Sequence, residues 1–226
     1  IFVYNDADRN DMIEHEMMSP QTPLVMVPGS GVDLDLYRPS PVTADPPVFL
    51  MIARLLRDKG VGEFVEAARS LKAAHPEVRF QLLGPFDPNP TGISRAEVDA
   101  WVEEGIVEYL GQTDDVRPFL SACSVYVLPS YYREGIPRTI LEAMAIGRAI
   151  ITTDCAGCRD TVEHGQNGLL VQPRPPQDLA NAMERFIQDQ GLVDRMGKAS
   201  HELAGTRFDV HAVNRLLLGE MGLLDT

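Results

Sequence analysis

The sequence predicts an α/β chain built on a doubly wound parallel sheet. Two observations carry that expectation. Short apolar runs rich in Val, Ile and Leu alternate with stretches at helical spacing, the pattern of βαβ units joined by right-handed crossovers. Charged residues such as Arg54, Lys59 and Glu134 gather in the loops that follow those runs, at the strand ends where open α/β sheets bind ligands.

Taken in order, Ile1-Phe2-Val3-Tyr4 is strand-like and a polar helical run follows to Met18. Residues 1–20 are expected to be the tail of a preceding unit with its hinge, bounded by Ser19-Pro20-Gln21-Thr22-Pro23. Residues 21–226 then form the main domain. Leu24 to Val27 is a short strand, closed by Pro28-Gly29-Ser30-Gly31-Val32-Asp33. Its glycines permit positive φ, either for a plain loop or for close approach to a ligand. Asp35 to Pro47 is a Pro-rich connection.

Val48 to Ile52 is the next strand. Arg54 and Lys59 flank the loop after it, and Val61, Phe64, Val65, Ala68 and Leu71 mark an amphipathic helix. On this segment alone, a diphosphate clamp and solvated surface charge are equally good accounts of the two cations. Val78 to Gly84 is a strand. Ser94 and Glu97 form a capping box for a helix with Val98, Trp101 and Val102 facing inward. Ile106 to Leu110 is a short strand, and Val116 to Ala122 a short helix.

Val125 to Leu128 reads as a buried strand, closed by Pro129-Ser130. Glu134-Gly135-Ile136-Pro137-Arg138-Thr139 follows, with Pro137 at or near the first helical position, where its missing N–H costs nothing. Ile140, Leu141 and Met144 keep helical spacing to a stop at Gly147. Glu142 then lies about one and a half turns in, roughly 7 Å along the axis from Pro137. Helical side chains lean toward the N-terminus, so both Glu134 and Glu142 can reach one pocket. A helix N-terminus suits a phosphate, and ionised carboxylates accept only, so hydroxyls would complete the ligand. Phosphate with hydroxyls on both sides describes a nucleotide sugar, although Glu-x7-Glu taken alone is better read as a surface glutamate and a helix-face glutamate with no ligand, since a two-residue pattern is weak.

Ala149 to Thr153 is a strand, Asp154 to Gly157 a turn, and Arg159 to His164 helical. Gly165 to Gly168 turns into the strand Leu169 to Val171. Pro175-Pro176-Gln177-Asp178 opens an amphipathic helix, and the remainder is helical with breaks at Gly191, Gly205 and Gly219.

The composition is 44% hydrophobic and 23% charged over 226 residues, enough for a sizeable core. No apolar run approaches a membrane span. Lys and Arg number 20 against 33 Asp and Glu, a net charge of −13. That disfavours nucleic acid or an anionic membrane surface as the main partner and leaves room for a local basic site. Three cysteines make no disulfide framework, so a cytoplasmic location is expected. The chain opens on Ile1, without a signal peptide, and is read as a piece of a longer protein.

Cys155-Ala156-Gly157-Cys158 raises a redox pair or half a metal site, but a zinc site needs about four ligands, and Cys123 is the one further thiol. The preferred role is a small-residue turn near the pocket. There is no Gly-x4-Gly-Lys-Ser/Thr and no Gly-x-Gly-x-x-Gly, which disfavours ATPase and nicotinamide chemistry.

In combination, these motifs resemble the C-terminal domain of retaining glycosyltransferases of family 4, which have the GT-B fold of two Rossmann-like halves. The resemblance rests on Gly31-Val32-Asp33 with Tyr37-Arg38-Pro39, Ala53-Arg54-Leu55 with Asp58-Lys59-Gly60, Leu83-Gly84 and Tyr109-Leu110-Gly111. It continues through Val127-Leu128-Pro129-Ser130, Glu134-x7-Glu142 and Gly165-Gln166-Asn167-Gly168. Pro28 to Asp33 and Glu134 to Thr139 are similar to bacterial enzymes that add N-acetylated hexosamines to polyprenyl-diphosphate carriers.

The resemblance implies roles. Arg54 and Lys59 would hold the donor diphosphate and stabilise the leaving nucleoside diphosphate, without a metal cofactor. The N–H groups of Arg138 and Thr139 would add phosphate contacts. Glu134 would bind the transferred sugar with Gly135, Ile136 and Pro137 around it, and Glu142 would accept from the ribose. Gly84 and the backbone around Thr113 would line the nucleotide's side. The family commonly has Gly where this chain has Pro137, so one backbone N–H is lost from the sugar's surroundings. The donor is expected to be UDP-linked, and the acceptor a glycan or lipid-linked sugar, held by a missing N-terminal domain. Transfer is expected to retain the anomeric configuration, with the whole protein at the inner face of the membrane and this chain inactive alone. The competing expectation is a non-catalytic nucleotide-sugar binding module.

Overall fold

The structure, a computed structural model, describes residues 1–224. Strand β1 (Phe2–Val3), helix α1 (Asp6–Glu14) and strand β2 (Val25–Met26) open the chain. β1 and β2 pair in parallel as a small sheet of their own.

The main sheet begins with β3 (Val48–Ile52), α2 (Val61–Lys72), β4 (Arg79–Leu83), α3 (Arg95–Glu103) and β5 (Glu108–Tyr109). It continues with α4 (Arg117–Ala122), β6 (Val125–Leu128), α5 (Arg138–Ile146), β7 (Ala149–Thr153) and β8 (Gly168–Val171). Helices α6 (Pro176–Gln188), α7 (Gln190–Arg207) and α8 (Val210–Glu220) follow. The order across the sheet is β5-β4-β3-β6-β7-β8, and every pair is parallel. The chain steps outward from β3 to β5, returns to lay β6 beside β3, and steps out the other way. The β3–β6 seam is therefore where the winding reverses, and loops leaving the two strands diverge.

Helices cover the sheet, with α2 packed on α6 and α5 on α7. Strands β3, β6 and β7 are buried along their whole length, which is why they read as unbroken apolar runs rather than alternating ones. Phe49 stacks on Phe80 at 5.4 Å between ring centroids, and Phe64 meets Phe80 edge-on at 6.3 Å. Each such ring contributes about 1.5–3 kcal/mol by leaving water. Among the described residues no helix is long and apolar enough to cross a membrane.

Several expected boundaries move. The breaks anticipated at Gly191, Gly205 and Gly219 are not breaks: the first two lie inside α7 and the third inside α8. The chain turns instead at Asp189 and Asp209, whose carboxylates accept from the N–H groups of Leu192 and His211. A capping aspartate ends one helix and starts the next, while a glycine costs a packed helix only about 1 kcal/mol. Val102, expected inward, is 43% exposed, because α3 lies beside the edge strand β5 and buries only Val98. The helix expected over Arg159 to His164 is a single 3-10 turn, Arg159–Thr161. The capping box is present, with Ser94 N–H donating to Glu97 at 2.9 Å.

Arg148 is the largest fully buried side chain. Its guanidinium donates to the carbonyls of Leu120 (2.7 Å), Ser40 (2.9 Å) and Ser121 (3.0 Å), tying the Pro-rich connection to α4 and to the end of α5. Burial pulls its pKa below the usual arginine value. Arg148→Met keeps the aliphatic stem but leaves these carbonyls without a donor. We expect a loss of about 3 kcal/mol, seen as a lower urea midpoint with unchanged slope. A wild-type midpoint would contradict this role.

Candidate functional site

The diverging loops at the β3–β6 seam enclose a cavity of about 210 Å³. Arg54 and Lys59 reach it from the loop after β3. Glu134, Pro137, Arg138 and Thr139 reach it from the loop after β6 and the first turn of α5. Six residues singled out in the sequence, up to 85 positions apart, thus share one crevice.

Helix α5 points its N-terminus into the crevice. Pro137 is the N-cap rather than the first helical residue, with extended backbone (φ −65°, ψ 116°). Its carbonyl accepts from the N–H of Ile140 at 3.1 Å. The N–H groups of Arg138 and Thr139 have no acceptor among the described residues. Two free donors at the positive end of a helix dipole make an anion-binding surface.

Lys59 pairs with Glu134 across the crevice, and both side chains are mostly buried. The same Glu134 oxygen, Oε1, accepts from Ser130 Oγ at 2.9 Å. Lys59 Nζ also lies 5.3 Å from the Tyr132 ring centroid. The loop carrying these groups is strapped to the β3 side: Asp58 carbonyl accepts from the N–H groups of Tyr131 (3.0 Å) and Tyr132 (3.1 Å). Arg54 stands at the rim, anchored to Asp87 at 3.0 Å, and keeps most of its donors toward solvent.

Glu142 sits beside the crevice, deeper in α5. Its Oε1 accepts from Tyr37 Oη at 2.9 Å and Arg138 Nε at 3.0 Å. Burial pushes the Glu142 carboxyl above the usual glutamate value, opposed by those two donors.

Gly157 explains the Cys155-Ala156-Gly157-Cys158 turn. Its φ is +80°, and a Cβ there would lie 1.6 Å from the carbonyl oxygen of Gly135. The turn thus presses on the peptide that carries Glu134, and Asp160 fixes it by accepting from Gly157 N–H at 2.9 Å. Cys155 and Cys158 are free thiols, the second buried, with burial pushing its pKa up to about 12. Among the described residues no three His, Cys, Asp or Glu are grouped to hold a metal ion.

The remaining expected residues lie outside this cavity. Gly84 has φ +149°, and a Cβ would fall 1.8 Å from Ala53 carbonyl. Its N–H donates to Gly111 carbonyl at 2.8 Å and its own carbonyl accepts from Tyr109 at 2.9 Å. Thr113 is exposed in the loop after β5, with Oγ1 accepting from Asp115 N–H at 3.1 Å. Gly135 lies under the Tyr4 ring. Ile136 turns the other way, against Gly29, into a separate cavity of about 230 Å³ that Tyr4, Met26 and Phe208 also line. Sequence reasoning missed Asp87, Ser130 and Tyr37 as partners of the key side chains. Contacts 33 and 105 residues apart leave no local spacing signal, although Ser130 is only four residues from Glu134.

The α/β fold, a parallel six-strand sheet flanked by helices, matches GT-B glycosyltransferase structures. Residues 46–189 match the family described as Glycosyl transferases group 1, and the chain belongs to that family. A relative from Campylobacter jejuni subsp. jejuni serotype O:2 is 38% identical over 146 residues, 65% of this chain and 37% of its own length. That protein is N,N'-diacetylbacillosaminyl-diphospho-undecaprenol alpha-1,3-N-acetylgalactosaminyltransferase. Sucrose-phosphate synthase from Thermosynechococcus elongatus superposes with a TM-score of 0.82 at 28% identity, covering 98% of this chain and 57% of that one. Anabaena HepE, solved with UDP, has a TM-score of 0.82 at 24% identity, covering 99% and 63%. The chain therefore spans less than two thirds of each of these proteins.

Two substitutions test this geometry. Gly157→Ala forces a Cβ into the Gly135 peptide and should cost about 2 kcal/mol or more, read by denaturant unfolding. Wild-type stability would show that the turn does not brace the loop. Glu142 has a folded pKa above its unfolded one, so its favourable contribution is full below the unfolded value and is lost as pH rises through the folded value. Glu142→Gln should therefore melt at or above the wild type at neutral pH, with the gap closing toward acid. A clearly lower melting temperature at neutral pH would contradict the burial account.

Proposed function

We propose that this chain is the donor-binding C-terminal half of a retaining glycosyltransferase of family 4. The observation that carries the reading is the crevice itself: two cations, Arg54 and Lys59, face the free N–H groups of Arg138 and Thr139, with one carboxylate inside and a second beside it. A diphosphate fits the cations and the helix end. The carboxylates of Glu134 and Glu142 suit the hydroxyls of the sugar and of the ribose. Membership of the group 1 family and the UDP held by HepE support a UDP-linked donor. The Campylobacter jejuni relative supports an N-acetylhexosamine and a lipid-linked acceptor.

In this reading the bond from the sugar's anomeric carbon to the diphosphate oxygen breaks, and negative charge grows on that oxygen. Arg54, Lys59 and the α5 N–H groups meet the charge where it develops, which is catalysis by preorganised electrostatics. These groups serve without a metal. Lys59 must turn from Glu134 toward the phosphate, which frees Glu134 for the sugar. The acceptor oxygen bonds on the face the diphosphate leaves, its proton passes to the departing phosphate oxygen, and configuration is retained.

Residues 1–20 we assign to the end of a preceding domain that holds the acceptor, and 21–226 to the donor half. The β1–β2 pair supports a preceding domain, because parallel two-stranded sheets do not stand alone, with β2 (Val25–Met26) crossing back over the assigned boundary to meet β1. Ile1, Phe2, Tyr4 and Met26 on or beside it are exposed. The isolated chain should bind donor and transfer nothing, whereas the full-length protein works in the cytoplasm at the inner membrane face.

Calorimetric titration with UDP, GDP and ADP in the presence of EDTA tests the reading. UDP should bind best, and Arg54→Ala and Lys59→Ala should each weaken it by roughly tenfold. Loss of binding on adding EDTA would overturn the metal-free clamp. Donor binding by the full-length protein without transfer would make it a binding module instead.

A further inference from the structure

We propose that Tyr37, through its hydroxyl, holds the Glu142 carboxylate in the orientation that receives the ribose hydroxyls of a nucleoside diphosphate. This deepens the reading above and rests on it.

Both donors to Glu142, Tyr37 and Arg138, meet the same oxygen. Among the described residues no group meets Oε2. The Glu142 side chain is 7% exposed, so its second oxygen keeps only a narrow opening, beside the crevice that Arg138 lines. The two donors differ in kind. Arg138 is on the rim, with a 70% exposed side chain, and is free to turn to an incoming phosphate. Tyr37 is buried at 8% exposure and cannot leave.

The backbone around Tyr37 is fixed on both sides. Asp33 Oδ1 accepts from the N–H groups of Asp35 (2.9 Å) and Leu36 (3.0 Å), and Asp33 carbonyl accepts from Tyr37 N–H at 2.9 Å. Three residues on, Ser40 is held by Arg148. The ring sits in the main hydrophobic core. Phenylalanine would fill that place equally well, so packing leaves the hydroxyl unexplained. Among the described residues its hydroxyl has one hydrogen-bond partner, a carboxylate 105 residues away.

The charged and titratable groups facing this pair are few. Arg138 comes from α5 itself, and Arg117, at the start of α4 and paired with Asp115, acts on Tyr37. Tyr126 of β6 faces Glu142 from below, with its hydroxyl already held between Ile52 carbonyl and Thr139 Oγ1. Burial raises Tyr37 to about 12, so it remains a donor throughout the working range. Its hydrogen bond favours the ionised Glu142, the form that accepts.

The test uses this chain with UDP and 2′,3′-dideoxy-UDP as probes. Tyr37→Phe should weaken UDP by roughly three- to tenfold while changing dideoxy-UDP little, and the acid-side loss of UDP affinity should begin at higher pH. On a Glu142→Gln background the same substitution should have no further effect on UDP, whereas a purely structural tyrosine would cost the same on either background. In the ligand-free chain, the Glu142 carboxyl carbon should titrate at higher pH in Tyr37→Phe. UDP affinity and selectivity equal to wild type in Tyr37→Phe would overturn the proposal, as would an unmoved Glu142 titration. If the titration moves but wild type binds no UDP, the nucleotide reading fails, and the ribose role with it.

Discussion

The pairing of β3 with β6 sets the rest of the structure. Phe49 lies opposite Val125 and Leu50 opposite Tyr126, joining two strands that are distant in the chain. Because the winding reverses there, the loops after these strands lead to opposite sides and leave an opening between them. The cations Arg54 and Lys59 follow β3 onto that opening, Glu134 and the α5 N-terminus follow β6 onto it, and Glu142 lies beside it. Tyr126 reinforces the seam, since its hydroxyl lies within reach of Ile52 carbonyl (3.1 Å) and Thr139 Oγ1 (2.7 Å). It ties the end of β3 to the first turn of α5.

The two glutamates are prepared alike. Glu134 Oε1 takes Lys59 and Ser130, and Glu142 Oε1 takes Tyr37 and Arg138. Each carboxylate is thus pinned by one oxygen. Two donors per oxygen compensate much of the cost of desolvating the charge. The arrangement also pairs charge within the crevice of a chain of net charge −13: Lys59 is neutralised by Glu134. Arg54, tethered at the rim by Asp87, keeps most of its side chain exposed.

The architecture was legible in the sequence because doubly covered strands leave unbroken apolar runs, and Val48–Ile52, Val125–Leu128 and Ala149–Thr153 are such runs. The crevice was legible where its residues sit at strand ends and a helix start, as Arg54, Lys59, Glu134 and Thr139 do. Helix ends near the C-terminus were misjudged because glycine was weighted above the capping carboxylates of Asp189 and Asp209. Val102 was misplaced because periodicity shows which residues share a face, not whether anything covers it. The supports of the site, Asp87 under Arg54, Tyr37 under Glu142 and Gly157 against Gly135, depend on tertiary approach and leave no spacing to read.

A crystal structure of this chain grown with UDP tests the central claim most directly. The account predicts the diphosphate in the β3–β6 crevice, within hydrogen-bond reach of Thr139 N–H and Lys59 Nζ, with Lys59 turned from Glu134 and the ribose on Glu142. UDP seated elsewhere, with the Lys59–Glu134 pair intact and the α5 N-terminus bare, would contradict it.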